Sequence, residues 1–180
     1  MEKMIAVMVL AVSGLIFLGV DAVRAMELTS PVFENGGAIP SRFARPAAGG
    51  QNVSIPLKWS GIPEGTASLA LIIVDHHPVA NMWVHWMVTN ISPTTTSLPE
   101  GASGKNMPPG SIEFRNSFGT SGYGGPQPPK GTGPHAYVVT LYALKTDKLD
   151  LKPNAGLADF QNAIKGKVIN EASTTGNYEQ

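Results

Sequence analysis

The architecture of this chain turns on one stretch, "SLALIIVDHHPVANMWVHWMVTNI" (68–91). Its opening run is apolar from Leu69 to Val74 and stops at a charge, the pattern of a strand buried on both faces with Asp75 at its mouth. The second run, 82–91, alternates. Period two puts Trp83, His85 and Met87 on one face and Val84, Trp86 and Val88 on the other. Three of the chain's four histidines (His76, His77 and His85) fall within these 24 residues, beside Asp75 and two tryptophans.

Working outward, "HAYVVTLYAL" (135–144) repeats the strand pattern with His135, Tyr137 and Val139 on one face. "NVSIPLKWSGIP" (52–63) predicts an edge strand, because Pro56 removes one ladder donor. Segments 92–111 and 119–134 are turn-rich. The second, "GTSGYGGPQPPKGTGP", is too dense in Gly and Pro for regular structure, and its position between strands of one domain predicts a shaped pocket loop. In 155–172, Leu157, Phe160, Ile164 and Val168 recur at spacings of three and four, which predicts a helix with one apolar face. The fold class expected is mainly β, with a helix near the C-terminus.

The chain opens with Lys3, an apolar run from Met4 to Val20, and small residues at Val23 and Ala25. These are the parts of a signal peptide cleaved after Ala25, with Ala22 a neighbouring site, and the small-residue motif favours removal over a retained anchor. The expected division is a signal peptide over 1–25 and a single domain over 26–180, placed in the periplasm or secreted, with no stable membrane insertion after cleavage. There are 13 acidic and 13 basic residues, and the leader holds two of each, so 11 of each remain. Neutral balance and low charge density argue against a nucleic-acid partner and against a polybasic membrane patch. With no cysteine there is no disulfide and no thiol nucleophile.

Catalytic signatures are missing. "GASGK" and "GTSGY" fail the spacing of a nucleophile elbow, no phosphate or dinucleotide loop is present, and no carboxylate pair stands out. Asp75, His77, His85 and His135 carry enough ligand atoms for a zinc-like site in a metal-dependent hydrolase, yet their spacing matches no compact metal signature. His76 and His77 are adjacent, so in an extended segment they point to opposite sides. A third reading is a small-anion pocket, in which His85, His135 and Tyr137 donate N–H and O–H groups while Asp75 orients an imidazole. Core histidines bonded to the backbone are the plain alternative, and the residues by themselves leave these readings open.

The order of the pieces resembles the phosphatidylethanolamine-binding protein family, which includes the Raf kinase inhibitor proteins, and its bacterial branch in particular. The resemblance rests on "NVSIPLKWSGIPEGTASLALIIVD", "WVHWMVTNI", "NSFGTSGYGGPQPPKGTGPHAYVVTLYAL" and the closing "GNY", and it covers roughly residues 28 to 178. It implies two packed antiparallel β-sheets with small peripheral helices, and a non-enzymatic pocket for phosphate or phosphoryl headgroups, with no cofactor and no metal. Asp75 matches the first acid of the family's D-P-D-x-P segment, His85 the histidine after the tryptophan (here Trp83), and His135 with Tyr137 the H-R-Y strand. Gln127 and Pro128 fall in the loop that closes over the anion. The departures are "DHHPV", where His77 replaces the second acid, Ala136 in place of the arginine, and Gln127 where Gly or Cys is common. The ligand-binding set implied is Asp75, His77, Trp83, His85, Gln127, Pro128, His135 and Tyr137. The expected partner is a small anionic or phosphorylated ligand, the bacterial branch implies a homodimer, and the alternative function is a protein-interaction module such as a protease or kinase inhibitor.

Overall fold

A computed structural model describes residues 25–180. The leader expected over 1–25 lies outside the described residues except for Ala25. In chain order the elements are β1 (Glu27–Thr29), β2 (Gly37–Ala38), β3 (Leu57–Ser60), β4 (Ser68–Asp75), β5 (Trp83–Ile91), β6 (Ser97–Leu98), β7 (Ile112–Glu113), β8 (His135–Leu144), α1 (Leu157–Ile164) and β9 (Val168–Tyr178). Short 3-10 turns occupy Ser41–Phe43, Pro46–Ala48 and Pro78–Ala80. Two sheets result, one of three strands ordered β1-β3-β6 and one of six ordered β2-β9-β8-β4-β5-β7. All pairings are antiparallel except β2 with β9, which is parallel.

β4 is central in the large sheet, and all eight of its residues are buried. Its two faces serve two cores, which is why the segment is continuously apolar instead of alternating. Leu69, Leu71 and Ile73 pack with Trp86, Tyr137, Val139 and Leu141, and against Leu28, Leu57, Trp59 and Leu98 of the small sheet. Ala70, Ile72 and Val74 pack on the opposite side with Met87, Phe160 and Ile164, beneath α1. Each fully buried leucine or isoleucine contributes about 1.5–3 kcal/mol, so this one strand ties the two layers together from both faces.

Three expectations are corrected. The helix does not run to 172: it stops at Ile164, Gly166 adopts φ 71°, and the chain enters the eleven-residue strand β9. Val168 fits the helical spacing by coincidence, whereas the β-branched Thr174 and Thr175 and the left-handed Gly166 favour termination and a strand. The segment around Pro56 forms no edge, since β3 lies between β1 and β6 and Pro56 precedes it. The third correction is in β5. Ile73 pairs with Trp86 but Val74 pairs with Val84, so His85 is an extra residue, a β-bulge. The alternation therefore resets. Trp86 and Val88 join the same core as Tyr137, next to which the His85 ring lies, while Met87 joins Val84 on the helix side.

Candidate functional site

Antiparallel pairing gathers one end each of β4, β5 and β8. Asp75, the last residue of β4, stands opposite Tyr137 on one side and Trp83 on the other. A cavity of about 350 Å³ opens there, lined among others by Asp75, Trp83, His85, Gln127, Pro128, His135 and Tyr137. Of the residues chosen from the sequence, His77 is absent from that lining; its ring stacks on His135 at 3.9 Å between centroids and 16° between planes. His76 is exposed.

The polar groups have specific partners. The Asp75 carboxylate takes the His135 Nδ1 proton at 2.6 Å on Oδ2, and the His77 backbone N–H at 2.9 Å on Oδ1. His135 Nε2 lies 2.8 Å from Thr132 Oγ1, a hydroxyl also 2.7 Å from the Pro129 carbonyl. Both ring nitrogens of His135 are thus occupied. His77 Nδ1 accepts from Val79 N–H at 3.3 Å, which capped geometry starts the Pro78–Ala80 turn. Both nitrogens of His135 and one of His77 are engaged, and among the described residues no group of three or more His, Asp or Glu side chains has metal-holding geometry.

His85 is 3% exposed, and its Nδ1 lies 2.6 Å from the Gly124 carbonyl. A carbonyl only accepts, so Nδ1 carries the proton and the neutral ring leaves Nε2 as a lone pair. Burial disfavours the imidazolium and lowers the pKa to about 4, with the Gly124 bond and the Asp75 charge opposing that shift. His85 is therefore not the ready N–H donor expected of it: donation from Nε2 requires protonating a buried ring. The Tyr137 hydroxyl is buried and makes no hydrogen bond within 3.5 Å; burial and then the Asp75 charge push its pKa up, and the nearby Gln127 backbone opposes that shift.

The Gly- and Pro-rich loop is pinned, not slack. Asn52 brackets it, donating to the Tyr123 carbonyl at 3.3 Å and accepting from Gly125 N–H at 2.7 Å. Arg45 N–H donates to the Pro126 carbonyl at 3.0 Å, and Tyr123 Oη–H to the Phe43 carbonyl at 3.1 Å. A side chain at Gly125 would strike the Phe43 carbonyl, so only glycine lets the loop lie against that turn. Phe118, which sequence reasoning missed, lines the cavity and touches His85 and Trp83 edge-on at 5.4 and 5.3 Å. Buried Asn116 positions it, its Oδ1 accepting from Phe118 and Thr120 N–H. "NSFG" at 116–119, an asparagine opening a turn that glycine closes, was the available signal. Arg45, also missed, lays its guanidinium 4.0 Å from the Phe118 ring centroid. At the cavity, Val79 and Trp83 are 59% and 38% exposed, and Asn81 and its neighbour Met82 both have left-handed φ, 47° and 59°.

The family model for phosphatidylethanolamine-binding protein matches residues 29–179. The chain belongs to the phosphatidylethanolamine-binding protein family. Relatives within this family's reach include the UPF0098 protein of Methanothermobacter thermautotrophicus, 41% identical over 156 residues that span 86% of this chain and 99% of that one. Escherichia coli YbcL is 37% identical over 161 residues, spanning 86% of this chain and 88% of YbcL. The YbcL crystal structure, described as a member of the mammalian PEBP family, superposes with a TM-score of 0.81 at 36% identity, covering 87% of this chain and 99% of that chain. The Chlamydia trachomatis phosphatidylethanolamine-binding protein homologue CT736 gives a TM-score of 0.75 at 32% identity, covering 87% and 98%. Among the described residues, the mainly β architecture of two sheets with one α-helix is thus that of a binding-protein family. Among the described residues no helix is long and apolar enough to cross a membrane.

Proposed function

We propose that this chain is an exported binding protein whose cavity receives the anionic head of a small phosphorylated or carboxylated ligand. The observation that carries the reading is the Tyr137 hydroxyl, a buried donor with no partner in the wall of a cavity of about 350 Å³. Leaving such a donor unpaired costs about 1–3 kcal/mol, which a ligand oxygen recovers. The cavity is of the size and mixed character of small-ligand sites, and Val79, Trp83, Phe118, Pro128 and Pro129 offer apolar surface to a less polar tail. The family's name points to a phosphoryl headgroup as ligand. Export is supported by the leader-like residues 1–25.

The test is calorimetric titration of phosphoethanolamine into the purified protein and into Tyr137→Phe. Saturable binding that weakens about tenfold in the variant supports the reading. No binding to the wild type overturns it, and undiminished binding to the variant removes Tyr137 from the site. Export is tested by N-terminal sequencing of the protein recovered outside the cytoplasm: a chain starting at Met26 supports cleavage after Ala25, and a retained Met1 overturns it.

A further inference from the structure

Resting on that reading of the cavity, we infer that the site selects an oxyacid group that still carries a proton, a phosphate monoester in its monoanionic form, over proton-free oxyanions such as sulfate and over phosphodiesters. The argument is a count of what the wall leaves free. His135 spends Nδ1 on Asp75 and Nε2 on Thr132, and the His77 ring covers one of its faces. Both Asp75 oxygens already accept, and their negative charge disfavours a dianion beside them. What remains is the Tyr137 hydroxyl, which makes no hydrogen bond of ordinary length although Asp75 and the Gln127 backbone lie near it, and His85 Nε2, the ring nitrogen that the Gly124 bond leaves over. The two rings touch edge to face at 4.9 Å between centroids, so one small head can meet both.

A monoanionic phosphate monoester matches that pair. Its P–OH donates to His85 Nε2, and a neighbouring P–O⁻ accepts from Tyr137. Sulfate at neutral pH has no proton to give and would set an oxygen lone pair against the imidazole lone pair; a phosphodiester satisfies Tyr137 but leaves Nε2 unmatched. Around His85 the charged and titratable groups are Asp75 from β4, Tyr137 from β8, His135 across the cavity, and Arg45 from the turn behind Phe118. Asp75 favours the imidazolium, Arg45 opposes it, and burial outweighs both, so the ring is neutral where phosphate monoesters titrate.

The experiment titrates the purified full chain with methyl phosphate, dimethyl phosphate and sodium sulfate at about pH 5.5 and about pH 8, on either side of the monoester's second ionisation near ~6. The expected result is methyl phosphate bound about tenfold or more tightly than the other two at the lower pH, with the advantage shrinking at the higher. Sulfate or dimethyl phosphate bound as tightly as methyl phosphate overturns the inference and leaves the anion cavity standing. No binding of any of the three overturns the cavity reading, and the inference with it. In His85→Gln the amide can turn an N–H toward the ligand, so the preference over sulfate should fall to near parity; an undiminished preference in the folded variant overturns His85 as the selector.

Discussion

Gly124 grips His85 at two points: its N–H donates to the His85 carbonyl at 2.8 Å, and its own carbonyl takes the His85 Nδ1 proton at 2.6 Å. One glycine thereby fixes both the strand position and the tautomer of the cavity's imidazole. The grip is possible because nothing larger fits. A Cβ on Gly124 would come within 2.7 Å of the Phe118 ring and 3.0 Å of Asn116 Nδ2.

Gly124→Ala should therefore loosen Phe118 and His85 together. The expected cost is about 1–3 kcal/mol, typical of overpacking a tight site, read as a lower urea midpoint. Two-dimensional NMR of the His85 ring should report a mixture of tautomers. An unchanged midpoint with a single Nδ1–H tautomer would show that the contact is soft.

Acid should destabilise the protein through His85. The unfolded ring titrates near ~6.5 and the buried ring near about 4, so between these pH values the unfolded state binds the extra proton. Stability is complete above about pH 6.5 and falls as pH drops toward 4, by roughly 3 kcal/mol for this group. The check is a set of urea midpoints across this window for wild type and His85→Asn. The variant should show a flatter slope, and parallel slopes would remove His85 from the acid response.

Tyr137→Phe should separate stability from binding. Deleting a buried hydroxyl that has no partner removes an uncompensated desolvation cost. The variant is expected to unfold at an equal or higher temperature, by up to about 1 kcal/mol, while it loses ligand affinity. A clear loss of thermal stability would mean that the hydroxyl is bonded in the folded protein.

Glu113 is the structural counterpart. Its Oε1 accepts from Trp86 Nε1 at 2.7 Å and Ser103 Oγ at 2.5 Å, and its Oε2 from Gly104 N–H at 2.7 Å. Glu113→Ala leaves the indole N–H of fully buried Trp86 unpaired and frees the 103–104 turn. A loss of about 2–4 kcal/mol is expected, measured by tryptophan fluorescence during denaturation. A loss below about 0.5 kcal/mol would show that water replaces the carboxylate.

The strands were legible where composition and burial agree. β4 is apolar throughout because both its faces are covered, and β8 alternates because its outward face is only half-buried. The wall residues Asp75, Trp83, His85, His135 and Tyr137 stood out because period two set His135 with Tyr137 and Trp83 with His85 on strand faces, Asp75 closed an apolar run, and the family resemblance matched the same positions. The bulge at His85 was not legible, since register is a property of the β4–β5 pair and no residue of β5 alone encodes it. Nor was the exchange of α1 for β9, where Val168 extends a helical pattern that Gly166 interrupts. Arg45 and Phe118 escaped notice because they reach the site from segments without periodicity, and their contact spans 73 positions of chain.

The extra residue in β5 has an evolutionary consequence. Because His85 occupies a slot with no opposite number in β4, while Trp86 beside it fills the core between the sheets, the proposed ligand chemistry and the interior packing fall on neighbouring positions that can mutate separately. A lineage could exchange the imidazole for another head-group reader without repacking the protein's centre. A one-residue deletion at this point would remove this bulge but not the irregularity between Leu69 and Leu71, and on the proposed reading it would take the recognition chemistry with it.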